Sequence, residues 1–218
     1  MLDLSIFENR LFAAATAAAF INGLSRFALL FVFVFYFQGA QGDDPITAGL
    51  KLTPMAIGML VSSPIAGAWA DKRGSRALAA IGMLVSAIAL AAMTSLQANS
   101  PYWQSTLWLA LVGIGSGMFN SPNTAAMMGT VPPQRRGIAA GARMMLQNTG
   151  AVLSIAFVLA IVTSAVPKDV LFKIFSGLAS GLSDAQLAPF ISNMHTALWV
   201  LAATSLVGAV VSLMRPRQ

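Results

Sequence analysis

The sequence predicts an all-α membrane protein, a six-transmembrane-helix bundle with almost no soluble mass. Two observations carry this expectation. Hydrophobic residues make up 57% of the 218 residues and charged residues only 9%, with a mean hydropathy of +0.75; soluble domains carry roughly 25% charged residues. The charges also fall in short strips between apolar runs, and several runs reach the roughly 20 residues needed to cross a hydrocarbon core. Inside lipid the backbone must satisfy its own hydrogen bonds, so such runs are read as helices.

Residues 1–10 form a short segment expected on the cytoplasmic side. Asp3 and Glu8 precede the first apolar run and no cleavage site follows it, so the segment does not read as a signal peptide. The first span covers 11–37, holds Asn22 and Arg26, and ends in the aromatic run FVFVFYF. After QGAQGDDP, Asp44 suits an N-cap and Pro45 a first helical residue. A second span over 46–70 follows, which Pro54 and Pro64 are expected to kink.

The strip DKRGSR leads into a third span over 77–96, and QANSPYW into a fourth over 106–130. The fourth is glycine-rich (GIGSG) and contains Ser116, Asn120 and Asn123. VPPQRRG precedes a fifth span over 138–166 with Arg143, Gln147 and Asn148. Residues 167–192 form the one sizeable external loop. Within it Val170, Leu171, Ile174, Phe175 and Leu178 fall at helical spacing opposite Lys168 and Lys173, which reads as a short helix lying on the membrane surface. The sixth span covers 194–214, and 215–218 form a cytoplasmic tail. No linker interrupts the series, so the transmembrane domain is one unit over 11–214.

The basic residues set the orientation. Arg10, Lys72, Arg73, Arg76, Arg135, Arg136, Arg215 and Arg217 fall on one side of an even-spanned bundle, and Lys51, Lys168 and Lys173 on or near the other. That excess puts both termini in the cytoplasm of a plasma or inner membrane. The net charge of +6 therefore serves topology, and nucleic acid is not an expected partner. The absence of cysteine excludes disulfides and thiolate metal sites. With a single histidine and scattered acids, no metal cluster and no cofactor are expected.

The segment GAWADKRGSRAL, from Gly67 to Leu78, resembles the G-x-L-a-D-r-x-G-x-[RK] loop motif of the major facilitator superfamily. Gly67, Ala70, Asp71, Lys72, Gly74 and Arg76 match; Trp69 stands where leucine is usual. YFQGAQGDDPITAGLKLTPMAIG (Tyr36 to Gly58) and PPQRRGIAAG (Pro132 to Gly141) are similar to stretches of the fourteen-span drug:proton antiporter branch. The resemblance covers nearly the whole chain and is to the C-terminal six-helix half. It implies half of a major facilitator fold, without a catalytic site, that moves drugs or other small molecules by proton-coupled alternating access. It also implies a partner: a missing N-terminal half of six or eight helices, or a second copy of this chain, together with the lipid bilayer and a small-molecule substrate. A fragment or truncated gene product is the favoured reading.

The resemblance assigns Gly67, Asp71, Lys72, Arg73, Gly74 and Arg76 to a gating loop. Asp71 closes a helix whose C-terminal dipole disfavours an acid, so Lys72, Arg73, Arg76 or the start of the fifth helix near Gly137 is expected to compensate it. Gly67 and Gly74 are expected to permit close backbone approach.

The first, second, fourth and fifth spans are implied to line a central cavity, with Asn22, Arg26, Ser116, Asn120, Asn123, Arg143 and Gln147 as candidate wall residues. Intramembrane polar groups tend to face a bundle interior or a watery cavity. Asn120 and Asn123 serve either interhelical hydrogen bonding or substrate contact. Arg26 and Arg143 either snorkel to the nearest surface or face the cavity. No acid lies at span depth, so a proton-coupling carboxylate is expected in the missing half.

Two other classes compete. One is a non-transporting membrane scaffold or self-associating half-transporter. The other, remote, is an intramembrane serine protease built on Ser116 and His195. Ile114 stands where the G-x-S-G pattern needs glycine.

Overall fold

The computed structural model describes residues 7–164, 166–175 and 182–214; Leu178, Arg215, Arg217 and the Arg73 side chain lie outside the described residues. Six helices of 18 residues or more carry the described fold: α1 (Arg10–Phe35), α3 (Thr53–Arg73), α4 (Ser75–Ala92), α5 (Tyr102–Gly129), α6 (Arg136–Thr163) and α8 (Asp184–Leu213). Two short ones, α2 (Pro45–Leu50) and α7 (Lys168–Phe175), sit in the connections. Five segments are long and apolar enough to cross a membrane: Arg10–Ala40, Pro45–Lys72, Ser75–Ser95, Pro133–Thr163 and Ala185–Leu213. At 28 residues α5 has the length, but its glycines, serines and asparagines lower its apolarity. It is enclosed by α3, α4 and α1, and a helix covered by protein needs no apolar surface for lipid.

Local chemistry sets the helix ends. Asn9 caps α1, its side-chain oxygen accepting the amides of Leu11 at 2.9 Å and Phe12 at 3.2 Å. Beyond Phe35 the chain widens into a π turn, Tyr36–Ala40, which straddles the expected end of the first span at 37. Asp44 caps α2 as expected, accepting Ile46 N at 3.0 Å and Thr47 N at 3.2 Å. Hydrogen bonds from Thr47, side chain and amide, hold its carboxyl below the usual carboxylate range.

The second span is not one kinked helix from 46. It stops at Leu50 and restarts at Thr53, with Pro54 in the first turn of α3. Pro54 has no N–H to offer the Leu50 carbonyl, and the Thr53 hydroxyl bonds that carbonyl instead at 2.7 Å. Only Pro64 lies inside α3.

The sixth long helix begins ten residues before the expected start. Gln186 Oε1 accepts the Ser183 amide at 2.9 Å and opens a helix through Pro189, so 184–193 are not loop. The other boundaries shift by a few residues, α5 starting at Tyr102 and α6 ending at Thr163. The short helix α7 does exist, but its apolar side is not offered to the membrane surface. Val170 and Ile174 are buried in the protein core, and Ile174 sits against Gly39 of the π turn.

The long helices pair in a pattern with internal symmetry. α1 packs on α6 and α8, α5 packs on α3 and α4, α1 meets α5, and α4 meets α8. Exchanging α1 with α5, α3 with α6 and α4 with α8 returns the same pairings. Since successive spans alternate in direction, the two three-helix units are inverted relative to each other, an arrangement found in transporters built from repeats.

Small residues let these pairs close. A Cβ on Gly113 would lie 2.1 Å from the Met55 carbonyl oxygen, and Gly82 and Gly115 meet reciprocally across α4 and α5. Gly23 and Gly150 do the same for α1 and α6, against the carbonyls of Gln147 and Phe20. Buried hydroxyls add to these seams. Ser205 on α8 donates to Met83 O at 2.9 Å, and Ser154 on α6 donates to Leu24 O.

The main core lies toward the end of the bundle that holds the α1–α3 and α4–α5 connections, where Phe33, Tyr36, Phe37, Met93, Leu96, Phe190 and Met194 are buried together. The long helices are unequally covered. Only 22% and 28% of the apolar stretches containing α3 and α6 are buried, against 44–56% for those containing α1, α4 and α8.

Candidate functional site

Two regions carry candidate residues: the turn between α3 and α4, and the polar residues of α1, α5 and α6. At the turn, Gly74 has φ +86 and ψ 151, a conformation that disfavours a side chain. Its amide closes α3 on Ala70 O at 2.8 Å. The expectation that Gly74 permits close approach is not met, because nothing lies within 4 Å of its Cβ direction; it serves the reversal itself. A Cβ on Gly67 would lie 2.9 Å from the Ser121 hydroxyl oxygen of α5.

Asp71 and Lys72 are exposed, and Arg76 is partly buried. Among the described residues Asp71 makes no ion pair with Lys72 or Arg76. At the start of α6, Gly137 is exposed.

The polar residues of the spans separate into two groups. Asn22, Ser116 and Asn123 lie inside the bundle, each 1% exposed or less. Asn22 Nδ2 reaches Met83 Sδ of α4 at 3.4 Å, and Asn123 Nδ2 donates to Ala15 O of α1 at 3.2 Å. These two tie neighbouring helices, and Ser116 lies within the glycine seam of α5. Their expected place on the wall is therefore corrected: the glycines draw the helices so close that these side chains are enclosed.

Arg26, Asn120, Arg143 and Gln147 form the second group. Arg143 Nη2 donates to Asn120 Oδ1 at 3.0 Å, joining α6 to α5. Asn120 Nδ2 in turn donates to Ser116 O at 3.0 Å. Arg26 spans from α1 to α3, with Nη1 3.5 Å from Met59 Sδ and the guanidinium 4.6 Å from the Phe27 ring centre. Both arginines thus reach sideways to a neighbouring helix and do not snorkel to a helix end. Between them lies the tight crossing of Gly23 against the Gln147 backbone. This is a polar, positively charged wall carried by α1, α5 and α6 and edged by α3.

The sequence reading missed a cluster that closes the end of the bundle holding the α1–α3 and α4–α5 connections. Tyr36 Oη donates to Gln97 O at 2.6 Å, and Gln41 Nε2 donates to Ser100 O at 2.9 Å. Lys51 pairs with Asp43 and stands 5.3 and 5.4 Å from the ring centres of Phe37 and Tyr102. The spacing Asp43 to Lys51, across the six residues of α2, was the available signal. Further along the same end His195 Nε2 lies 2.6 Å from Leu96 O. Ser116 Oγ has no hydrogen-bond partner among the described residues, so the two do not form a nucleophile–base pair. No metal-binding group of His, Cys, Asp or Glu occurs among the described residues.

Six long helices in two inverted units, with polar residues on three of them, define a multi-pass membrane protein built from an inverted repeat. The family model "Major Facilitator Superfamily" matches residues 15–218, and the chain belongs to that superfamily. It is 24% identical to the riboflavin transporter RibZ of Clostridioides difficile, over 97% of this chain and 44% of that protein. It is 27% identical to the tetracenomycin C resistance and export protein of Streptomyces glaucescens, over 72% of this chain and 29% of that protein. With multidrug resistance protein 3 of Bacillus subtilis the identity is 31%, over 69% and 29%. The chain thus spans less than half the length of these relatives.

Proposed function

We propose that this chain acts as the C-terminal half of a secondary active transporter that exports drugs or other small molecules by alternating access. The observation that carries the reading is the placement of Arg26, Asn120, Arg143 and Gln147 on α1, α5 and α6, while α3 and α6 keep most of their surface uncovered. A polar wall flanked by two uncovered helices suits a second bundle docking on the flanks and enclosing a cavity between the halves. Relatives named for riboflavin transport, tetracenomycin C export and multidrug resistance support small-molecule transport.

The partner is a companion half of six or eight helices or a second copy, and the uncovered apolar residues Ile57, Leu60, Ile65, Met144, Val152 and Phe157 suit either. Proton coupling is assigned to the companion, because the six acids among the described residues lie at or beyond helix ends. Asp71, exposed and without an ion pair among the described residues, is assigned to gate by meeting the companion's helix N-terminus when the cytoplasmic side closes. Arg10, Lys72, Arg76, Arg135 and Arg136 gather at one end of the alternating spans, which supports cytoplasmic termini in a plasma or inner membrane.

The test is efflux from cells expressing this chain alone, compared with cells that also express the matching N-terminal half. Transport only in the second case supports the reading. Transport by the chain alone overturns the need for a companion half, and absence of transport in both overturns the transport reading.

A further inference from the structure

We propose that the wall takes a small organic anion, with Arg26 and Arg143 as its two guanidinium contacts; this rests on the cavity-wall reading above. The argument begins with charge. Guanidinium remains protonated in proteins, so neither residue can escape the cost of burial by losing a proton. A charge at membrane depth needs a partner. Among the described residues neither arginine has an acid partner. The acids of the chain are Asp3, Glu8, Asp43, Asp44, Asp71, Asp169 and Asp184, and none lies in a span interior. Asp43 is already paired with Lys51, in the connection after α1.

What the two guanidiniums do touch is weak or neutral. Arg26 has a thioether and the face of a ring; Arg143 has one amide oxygen. The Nε of each is buried with no hydrogen-bond partner. Each guanidinium therefore keeps donor capacity in the planar geometry that suits a carboxylate or similar oxyanion.

Position adds a size. α1 and α6 run in the same direction and cross where Gly23 meets the Gln147 backbone. Arg26 lies three residues beyond that crossing on α1, and Arg143 four residues before it on α6. At 1.5 Å per residue their Cα atoms are offset by roughly 10 Å along the bundle. Side chains converging over that interval suit an extended, drug-sized anion that meets both. A cationic substrate would face two like charges with no acid on this wall.

Fluorescein and rhodamine 123 share a xanthene scaffold and carry opposite charge. Their binding to the purified full chain, in nanodiscs of neutral phosphatidylcholine at pH 8, is read by fluorescence anisotropy. Fluorescein is expected to bind at least about tenfold more tightly. Arg26→Gln and Arg143→Gln should each weaken it about tenfold or more while leaving rhodamine 123 no weaker. Arg26→Lys and Arg143→Lys, which keep the charge, should retain more affinity than the glutamine variants. Competition on the unaltered chain needs no variant: 2-naphthoate should displace fluorescein and 2-naphthylmethylamine should not.

Tighter binding of rhodamine 123, no binding of either dye, or fluorescein binding indifferent to both glutamine variants overturns the proposal. Arginine-dependent retention of phosphatidylglycerol, with no fluorescein bound in phosphatidylcholine discs, assigns the arginines to a lipid headgroup and also overturns it. Transport is scored separately, by efflux of both dyes from cells with the companion half. Anion-selective binding without efflux leaves this proposal standing and sinks the transport reading. Efflux of the cation, indifferent to both arginines, does the reverse.

Discussion

Tyr36 donates its phenolic hydrogen to the Gln97 carbonyl at 2.6 Å, tying the end of the first long helix to the loop after α4. The ring is fully buried, and Gln41 Nε2 donates to the Tyr36 hydroxyl oxygen at 3.3 Å. Tyr36→Phe keeps the ring packing and removes only the hydroxyl. A typical intramolecular hydrogen bond is worth about 1 kcal/mol net. The variant is therefore expected to lower the unfolding midpoint in detergent by about 2–4 °C. An unchanged midpoint would show that this bond does not hold that end of the bundle.

One substitution is expected to act differently at a glycine inside the α3–α5 seam and at one outside any helix contact. A Cβ at Gly113 would sit 2.1 Å from the backbone oxygen of Met55, where no flexible side chain can yield. Gly113→Ala is expected to cost about 1–3 kcal/mol by forcing the helices apart. Gly141 is exposed on α6 with nothing within 4 Å. Gly141→Ala should be neutral or stabilising by up to about 1 kcal/mol, through helix propensity alone. Thermal unfolding of both variants in one detergent checks this. Equal losses would mean that glycine acts through something other than helix contact.

These two cases show what the sequence could and could not reveal. Six helical runs and the family motif follow from apolar length and from Gly67, Asp71 and Gly74, because those signals are local. The break at Lys51–Leu52 is local too, yet Pro54 fits both a kink inside a helix and the first turn of a new one. The Thr53 hydroxyl on Leu50 decides between them, and hydroxyl direction is not written in residue order. The early start of α8 was hidden because Asp184, Gln186 and Pro189 look like a loop. Sorting Asn22, Ser116 and Asn123 into the bundle, and Arg143 with Asn120 onto the wall, depends on which glycine faces which helix. That is a tertiary property. The arginines were visible as charges without acids, but their sideways reach to Met59 and Asn120 was not.

At the turn after α3, Asp71 is exposed and the chain reverses at Gly74 with φ +86. If Asp71 gates by meeting a companion half, Asp71→Asn in the complete transporter should reduce efflux about tenfold at equal membrane abundance. That matches about 1.4 kcal/mol of lost bias toward the closed state. Unfolding of the isolated chain should not change, since Asp71 makes no ion pair within its described residues. Gly74→Ala should instead destabilise the isolated chain by about 1 kcal/mol, through the strained turn. Normal efflux by Asp71→Asn at normal abundance would remove the gating role.

Asn120 and Asn123 stand three residues apart on α5, yet the structure gives them different work. Asn123 is fully buried and bonds the Ala15 carbonyl at 3.2 Å, so it holds α5 to α1. Such bonds within membrane bundles average about 0.6 kcal/mol. Asn123→Ala should lower stability by about that amount, plus a packing loss, with dye affinity unchanged. Asn120 instead accepts Arg143 Nη2 at 3.0 Å at the edge of the wall. Asn120→Ala frees that guanidinium from its one protein acceptor, so fluorescein affinity should change severalfold while the unfolding midpoint moves little. Asn120→Asp sharpens the contrast. A carboxylate at 3.0 Å from the guanidinium would form an ion pair, compete with the bound anion and reduce fluorescein affinity about tenfold. Anisotropy titrations and unfolding midpoints on the same three preparations separate the roles; parallel losses in both measurements would assign both asparagines to packing.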